Sequence, residues 1–227
     1  MLAALEPQFV STSVLGDRCP LCGEAVSEEF WRDRRREYLR CQVCSLVWVP
    51  SRFLVSAEAE KAEYELHQND PSDIGYRNFL GRLATPLLAR LSTGASGLDF
   101  GAGPGPTLSL MMREKGYSVD TYDLYFNPDA AVFKNTYDFI TATEVVEHLR
   151  DPGAELKRLF AMLRPGGVLA IMTKLALGPA EFSTWHYKND KTHIVFFSEN
   201  TFRWLAARWK CTVTFEAADV IFLAKNT

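Results

Sequence analysis

The chain lacks any apolar run of about 18 residues, the length that a membrane-spanning helix needs, so no transmembrane segment is predicted. Its first stretch, residues 1–17, lacks the basic start and apolar core of a signal peptide, and we therefore expect a cytoplasmic protein. Neither sign of charge dominates, because 25 basic and 28 acidic residues leave a formal net charge of −3. Such a balance gives no broad basic field, so tight nonspecific nucleic-acid binding is not predicted.

Internal repeats and low-complexity tracts are also absent, and 47% of the 227 residues are apolar. This length and composition predict a globular protein with one ordinary domain and a small module. We expect an N-terminal extension (1–17), a small metal-binding module (18–55), a helical lead-in (56–91) and a main domain (92–227).

Cysteine is scarce, but four of the five cysteines form two Cys-x-x-Cys pairs that are separated by 18 residues. The pairs are Cys19 with Cys22 and Cys41 with Cys44. Two such pairs favour one four-thiolate Zn²⁺ site, which is structural because all four ligand positions are filled. Disulfides are the alternative, and a cytosolic chain disfavours them. The module is too short to bury its own core, so metal binding would supply much of its folding free energy.

A basic and aromatic insert, Phe30–Tyr38, lies between the two cysteine pairs. It is either a contact surface for RNA or protein, or a solvated hairpin. We favour the hairpin, because the acidic residues and zinc-bound thiolates of the module would leave it close to neutral.

A glycine-rich turn follows the first strand pattern of the main domain. The strand ends at Asp99 and runs into Gly101, Gly103 and Gly105, after which a helical pattern begins. Glycine has no Cβ, so a cofactor can lie against the backbone of such a turn. A second strand, Val119–Asp123, also ends in an acid, and a carboxylate there can take both hydroxyls of a ribose.

Further blocks follow in order: a strand pattern at Tyr137–Thr143, then Glu144–Leu149, then Leu163–Gly167. Together with the glycine turn and Asp123, they resemble the class I S-adenosylmethionine-dependent methyltransferases over about residues 84–227. A Rossmann NAD domain is the alternative, but its G-x-G-x-x-G pattern is not kept after Gly105.

The resemblance implies an α/β fold, a Rossmann-like sheet with helices on both faces, which binds S-adenosylmethionine. It places Asp99 beneath the methionine amino group and Asp123 at the ribose. Only 13 residues separate Asp123 from Tyr137, where a third strand and the adenine-recognition group usually lie, so that strand is expected to be very short or missing. The expected cofactor-binding residues are Asp99, Phe100, Gly101, Ala102, Gly103, Asp123, Leu124, Thr143 and Glu144.

Glu144, Glu147 and His148 stand at i, i+3 and i+4, so a helical turn would place them on one face. The pattern is similar to the Mg²⁺ site of some quinone-precursor O-methyltransferases and small-RNA 2′-O-methyltransferases, in which the ion holds the acceptor hydroxyl. His186 or His193 would be a further ligand. The alternative is that this segment merely shapes the strand-to-helix turn.

The acceptor is expected at segment 184–193, which lies beyond the carboxyl end of a parallel strand, where open sheets bind ligands. Trp185, Tyr187 and Asp190 are its candidate substrate contacts. The lead-in residues Tyr64, His67, Asp73 and Tyr76 could close over the cofactor. His148, His186 and His193 are the candidate bases for an oxygen or nitrogen acceptor.

The sequence thus predicts methyl transfer to a small molecule at oxygen or nitrogen, because the overall acidity of the chain favours a small acceptor over RNA. One alternative is an RNA or protein acceptor that the zinc module docks. A second is a non-catalytic S-adenosylmethionine sensor or scaffold, against which the complete set of cofactor residues argues.

Overall fold

The computed structural model describes residues 18–66 and 69–227. The predicted extension 1–17 and the candidate lining residue His67 lie outside the described residues. Within the described ranges, no helix combines the length and the apolar character that crossing a membrane would require.

The strands of the described residues are short and alternate with helices after residue 90. In chain order they are β1 (Ser27–Arg32), β2 (Glu37–Cys41), β3 (Val47–Trp48), β4 (Ser96–Phe100), β5 (Ser118–Tyr122), β6 (Tyr137–Thr143), β7 (Leu163–Met172), β8 (Val195–Phe196), β9 (Thr212–Ala217) and β10 (Val220–Ala224).

The α-helices lie mostly on the two faces of the larger sheet. In chain order they are α1 (Ala57–Tyr64), α2 (Ile74–Leu88), α3 (Thr107–Glu114), α4 (Pro152–Ala161), α5 (Pro179–Thr184) and α6 (Glu199–Trp209). Short 3-10 turns stand at Ala130–Lys134, Val146–His148 and His186–Asn189.

Six strands form the central sheet in the order β5-β4-β6-β7-β10-β9. The strands β5, β4, β6 and β7 are parallel, and the antiparallel pair β10 and β9 closes the other edge. The segment between Asp123 and Tyr137 holds a 3-10 turn and one isolated bridge. The strand that usually lies there is therefore missing, as the sequence predicts. The carboxyl ends of the parallel strands therefore meet at one edge of the sheet.

Helices cover both faces of this sheet, as expected, because side chains alternate along each buried strand. On β6, Phe139 packs with α2 and α3, whereas Ile140 packs with α4 and α6. The same alternation runs along β7, where Ala170 and Ile171 belong to opposite faces. The sheet is thus the shared floor of two apolar cores.

The small N-terminal sheet is not separate from the main domain. It has the order β1-β2-β3-β8, so its last strand comes from the segment after the predicted acceptor loop. Val47 pairs with Phe196 and Trp48 with Val195 in antiparallel register. We call residues 18–49 the ribbon, and its core is continuous with the α4–α6 face of the central sheet.

Two boundaries that the sequence pattern predicts are wrong, those of a helix from Ala154 to Leu163 and of a helix with an apolar period from Asn78 to Leu91. The segment Arg164–Gly167 was expected to end a helix, but it lies within β7, which already starts at Leu163. The helix expected from Asn78 starts at Ile74 instead, because Asp73 caps it by accepting from the N–H groups of Gly75 (2.7 Å) and Tyr76 (3.2 Å).

Candidate functional site

A cavity of about 750 Å³ opens at the carboxyl ends of β4, β5 and β6. Its volume falls in the usual range for small-molecule sites. The glycine turn, the end of β5 and the end of β6 form its floor, and the α1–α2 connection closes one side through Tyr64, Asn69 and Tyr76.

The glycine turn is shaped by backbone conformations that favour glycine. Gly101 and Gly103 have φ values of +76° and +67°. A Cβ on Gly101 would lie 2.4 Å from Cγ2 of Val145, and one on Gly105 would lie 2.3 Å from the carbonyl oxygen of Asn69. Gly101 therefore provides both the left-handed conformation and the space next to Val145, whereas Gly105 provides only the space next to Asn69.

Asp99 is the penultimate residue of β4 and lines the cavity, 4% exposed. Its carboxylate accepts hydrogen bonds from Ser109 Oγ and Thr141 Oγ1, each at 2.8 Å. Burial raises the pKa of Asp99 above its usual range, and the two hydroxyl donors act in the opposite direction. The side chain thus ties β4 to α3 and β6 at the cofactor end.

Asp123 follows β5 and faces the glycine turn. Its Oδ2 accepts from the N–H of Gly103 at 2.9 Å, and Oδ1 accepts from the N–H groups of Tyr125 (2.9 Å) and Phe126 (3.1 Å). A carboxylate has about four acceptor sites, so the three N–H bonds leave this one about one site for a hydroxyl donor. Beside it, Phe100 stacks on Tyr122 with ring centroids 5.5 Å apart.

The arrangement expected for Glu144, Glu147 and His148 was wrong in one respect. The 3-10 turn covers only Val146–His148, and Glu144 lies outside it with a left-handed φ of +53°. The three side chains therefore do not project from one helical face. Instead, the hydroxyl of Tyr187 approaches Glu144 Oε2 at 3.3 Å and donates a hydrogen bond to Glu147 Oε1.

Two carboxylate oxygens at this point are buried without a hydrogen-bond partner among the described residues, Glu144 Oε1 and Glu147 Oε2. Glu147 is fully buried. Burial raises the pKa of both carboxyl groups, and the charge of Glu147 raises that of Glu144 further. Such a pair is stabilised by a bound proton or cation.

His193, rather than Glu144, joins Glu147 and His148 in a group that could hold a metal ion, and the ligand atoms of this group all lie within 4.8 Å of one another. His148 Nδ1 donates to the carbonyl of Thr192 (3.0 Å), and His193 Nδ1 donates to the carbonyl of Tyr187 (2.7 Å). A neutral imidazole bonded in this way carries its lone pair on Nε2, as metal-binding histidines do. Burial, then the neighbouring His148, lowers the pKa of His193 to about 4, so its ring is neutral at pH 7.

Two candidate residues lie away from the cavity lining. His186 is exposed, and its Nε2 accepts from Lys174 Nζ at 2.9 Å. Trp185 packs against Phe182 and Phe196, with ring centroids 5.6 and 5.9 Å apart. Neither side chain lines the cavity, although Trp185 also packs against Tyr187 with ring centroids 5.1 Å apart. Tyr187, Asp190 and His193 do line it, together with His148.

Sequence reasoning missed several lining residues, among them Asn69, Tyr125 and Lys174. Lys174 could have been found, since it follows β7 directly and the carboxyl ends of parallel strands meet at the ligand edge. Asp73, by contrast, was expected to line the site but caps α2.

The four ribbon cysteines lie together as predicted, with their sulfur atoms within 4.8 Å of one another. Cys19 and Cys44 sulfurs are 3.4 Å apart, and those of Cys22 and Cys41 are 3.5 Å apart. These separations far exceed the roughly 2.05 Å of a disulfide and approach those of thiolates sharing a tetrahedral Zn²⁺ at about 2.3 Å.

The parallel sheet, the glycine turn and the acids at two successive strand ends define a nucleotide-cofactor-binding α/β domain. A family model described as a methyltransferase domain matches residues 74–214. The chain belongs to this methyltransferase domain family.

Among curated relatives, ubiquinone biosynthesis O-methyltransferases from Colwellia psychrerythraea and Aeromonas salmonicida are 27% and 28% identical over 93 residues. The matched part is 41% of this chain and 38% and 39% of those proteins, so the chain spans about two fifths of their length.

Among solved structures, a 1,6-didemethyltoxoflavin N1-methyltransferase from Burkholderia thailandensis, with bound 1,6-didemethyltoxoflavin and S-adenosylhomocysteine, is 18% identical. Its TM-score is 0.48, over 88% of this chain and 100% of that one. An O-methyltransferase family protein from the same organism is 12% identical, with a TM-score of 0.49 over 78% of this chain and 62% of that one.

Proposed function

We propose that the chain is an S-adenosylmethionine-dependent methyltransferase that acts on a small molecule at oxygen or nitrogen. The observation that carries the proposal is the cavity formed by the glycine turn and Asp123 in a chain of the methyltransferase domain family. A nucleoside-bearing ligand fits this floor, because the glycine turn and Asp123 line the same space. The matched curated relatives are named for O-methylation in ubiquinone biosynthesis, which is consistent with a small acceptor.

S-adenosylmethionine, when bound, supplies a methyl group that its sulfonium already activates. The side chains of this protein then have to bind, orient and exclude water. Asp123 would accept a hydrogen bond from a ribose hydroxyl. The methionine part of the ligand would lie against the backbone of Gly101 and Gly103. Tyr64 and Tyr76 would cover the site.

The acceptor proton requires a base on the other side of the cavity. His193 is neutral at pH 7 because burial lowers its pKa to about 4, and His148 lies beside it with ring centroids 4.7 Å apart. Either imidazole could receive a proton from an acceptor hydroxyl or amine through its Nε2 atom. His186 is not part of this proposal, because it contacts Lys174 but does not itself line the cavity.

As an alternative to an imidazole base, we further propose that Glu147, His148 and His193 hold a divalent cation, with Glu144 beside them, so that the Nε2 lone pairs bind the ion and not a proton. The buried and unpartnered Glu147 Oε2 supports this, since a buried carboxylate oxygen needs a donor or a cation. Two imidazoles suit Mn²⁺ or Zn²⁺ better than Mg²⁺, which prefers oxygen ligands. The ion would lower the pKa of an acceptor hydroxyl. In the assay below, a chelator should abolish transfer and Mn²⁺ should restore it better than Mg²⁺; full activity with chelator would refute the cation site.

We propose that Cys19, Cys22, Cys41 and Cys44 bind structural Zn²⁺. The insert between the pairs supports a small acceptor over RNA, because two of its four arginines are already engaged. Arg32 pairs with Glu29 and Glu37, and Arg36 is 8% exposed.

The test uses methyl-labelled S-adenosylmethionine, the purified full chain with zinc, and a cell lysate split into small-molecule, RNA and protein fractions. Label is expected in the small-molecule fraction. Label in RNA or protein would instead favour a docked macromolecular acceptor. No label in any fraction, despite measurable S-adenosylhomocysteine binding, would favour a cofactor sensor or scaffold.

A further inference from the structure

One buried arginine connects the ribbon to the acceptor side of the cavity. Arg36 stands in the β1–β2 hairpin turn, where its carbonyl accepts from the N–H of Asp33 at 3.0 Å. Its side chain points away from solvent and towards segment 187–193, about 150 residues further along the chain. A charged group that is 8% exposed has to be matched by acceptors.

Backbone carbonyls of one segment supply most of those acceptors. Arg36 Nη1 donates to the carbonyls of Lys191 (3.3 Å) and His193 (3.0 Å). Arg36 Nη2 donates to the carbonyls of Asp190 (2.8 Å) and Lys188. Four carbonyls of six consecutive residues therefore converge on one guanidinium.

Other carbonyls of the same segment hold the two imidazoles. The carbonyl of Tyr187 accepts from His193 Nδ1 at 2.7 Å, and that of Thr192 accepts from His148 Nδ1 at 3.0 Å. We call segment 187–193 the strap. Arg36 binds four of its carbonyls on one side, and two other carbonyls of the strap orient both histidines on the other side. Its last link is the N–H of Ile194, which donates to the carbonyl of Glu147 at 2.9 Å.

Further contacts reinforce the attachment from the ribbon. Lys188 Nζ pairs with Asp33 Oδ2 at 3.0 Å, and the Lys188 side chain is only 6% exposed. Arg36 Nε donates to the hydroxyl of Tyr38 at 3.3 Å, which keeps the guanidinium plane in place.

We propose that Arg36 is a positioning residue, which shapes segment 187–193 so that Tyr187, His193 and His148 meet at the acceptor side of the cavity. The role in transfer rests on the proposed function, whereas the shaping of the segment does not. Lysine cannot replace it, because one ammonium lacks the planar fork that reaches four separated carbonyls. The ribbon therefore shapes the acceptor side of the cavity from behind segment 187–193, and none of its own residues lines the cavity.

The test is hydrogen–deuterium exchange on the full zinc-loaded chain and its Arg36→Lys variant. Exchange in peptides covering 186–194 should rise at least about tenfold, because the strap opens locally when its carbonyls lose their donors. Peptides covering the glycine turn, 99–107, should not change, and zinc content should stay equal. The control is Arg32→Lys on the same hairpin, whose exposed side chain pairs only with Glu29 and Glu37 in the described structure, and it should leave 186–194 unchanged.

Unchanged exchange at 186–194 would overturn the proposal, and so would a rise of equal size throughout the chain, which would reveal only a loss of global stability. If Arg36→Lys does not fold, Lys188→Met tests the same attachment, because it removes the Asp33 pair while keeping an apolar stem of similar length. It should raise exchange in 186–194 by a smaller factor, and no local rise would overturn the proposal.

Ligand measurements separate this proposal from the proposed function. The Kd of S-adenosylhomocysteine should stay within about twofold in Arg36→Lys, because the guanidinium does not touch the glycine turn. In the labelled-methyl assay, the rate should fall at least about tenfold with an unchanged KM for S-adenosylmethionine, equivalent to about 1.4 kcal/mol at the acceptor side. A wild-type protein without S-adenosylhomocysteine binding would count against the proposed function, while the exchange pattern would still decide what Arg36 does.

Discussion

At the scale of single residues, the cofactor end of the cavity depends on glycine, which has no Cβ atom. Gly101 has a left-handed backbone, and its Cα hydrogens face the side chain of Val145. Gly116, after α3, has a similar φ of +87°, but a Cβ there would meet nothing within 4 Å. Substitutions at the two glycines therefore distinguish the free-energy cost of a left-handed backbone from that of a Cβ clash with a neighbouring side chain.

Gly101→Ala should weaken S-adenosylhomocysteine binding by at least about tenfold, because the new Cβ displaces Val145 and the turn that passes the ligand. Gly116→Ala is the matched control. Both substitutions should cost about 1 kcal/mol of stability through the left-handed backbone, but the control should retain its affinity. Isothermal titration calorimetry measures both, and equal affinities for the two variants would contradict this role of Gly101.

The carboxylate of Asp138 makes stability depend on pH. Burial alone would raise its pKa, but hydrogen bonds from the N–H of Ser96 (2.8 Å) and from Arg164 Nη1 (2.7 Å) outweigh burial and hold the pKa below its usual range. A depressed folded-state pKa stabilises the protein above the unfolded-state value of about 3.9, and this contribution is lost as pH falls through the folded-state pKa.

Asp138→Asn should therefore lower the free energy of unfolding at pH 7 by no more than about 1 kcal/mol, since the pair is partly solvated. The difference from wild type should shrink below about pH 4. Urea unfolding of both proteins between pH 7 and 3 gives this difference. Both proteins carry the same cysteines, so the effect of cysteine protonation on the free energy of unfolding cancels in the difference. A gap that grows on acidification would show that the sign is wrong.

At the scale of elements, the value of a helix cap depends on what the helix buries. Ser198 begins α6 with a capping box, in which its side chain and that of Thr201 each accept from the other's backbone N–H. Helix α6 buries Thr201, Phe202, Leu205 and Ala206. Ser56 also caps its helix, α1, by accepting from the N–H of Ala59, but α1 has no buried residue.

Ser198→Ala should lower the melting temperature by about 2–4 °C, the effect of losing about 1 kcal/mol in a protein of this size. Ser56→Ala should lower it less, because α1 can fray without opening the core. Differential scanning calorimetry compares the two variants, and equal shifts would show that α1 is coupled to the core as tightly as α6.

At the scale of the whole molecule, the ribbon and the methyltransferase domain share structure that neither has alone. Strand β8 completes the ribbon sheet, and Phe182 packs edge-on against Phe30 and Tyr38 with ring centroids 5.1 and 5.0 Å apart. The guanidinium of Arg36 adds a polar attachment to the same interface. The two parts should therefore unfold together.

Cys41→Ser should remove the proposed zinc and lower the melting temperature of the entire chain in one transition, because the ribbon core continues into the central sheet. We expect a loss of several kcal/mol, on the order of a structural metal site. Calorimetry and zinc analysis measure the effect, and Cys211→Ser, outside the four-sulfur group, is the control. A separate ribbon transition, with the main domain melting at its wild-type temperature, would contradict shared folding.

The sequence by itself determined the features that local chemistry controls. It predicted β6 at Tyr137–Thr143, the clustered cysteines and the glycine turn, because side-chain alternation, paired cysteine spacing and missing Cβ atoms act within a few residues. The resemblance to class I methyltransferases also implied helices on both faces of the sheet, and the structure has them.

Only the tertiary structure decided which distant groups meet. Glu144 turned out of the helical face by its left-handed backbone, His193 took its place beside Glu147 and His148, and Arg36 turned inward from a hairpin that resembled a solvated basic surface. These contacts join residues up to about 150 positions apart, as between Arg36 and Lys188. Local patterns carry no record of such pairings, because they form only when both cores close and buried polar groups have to find partners.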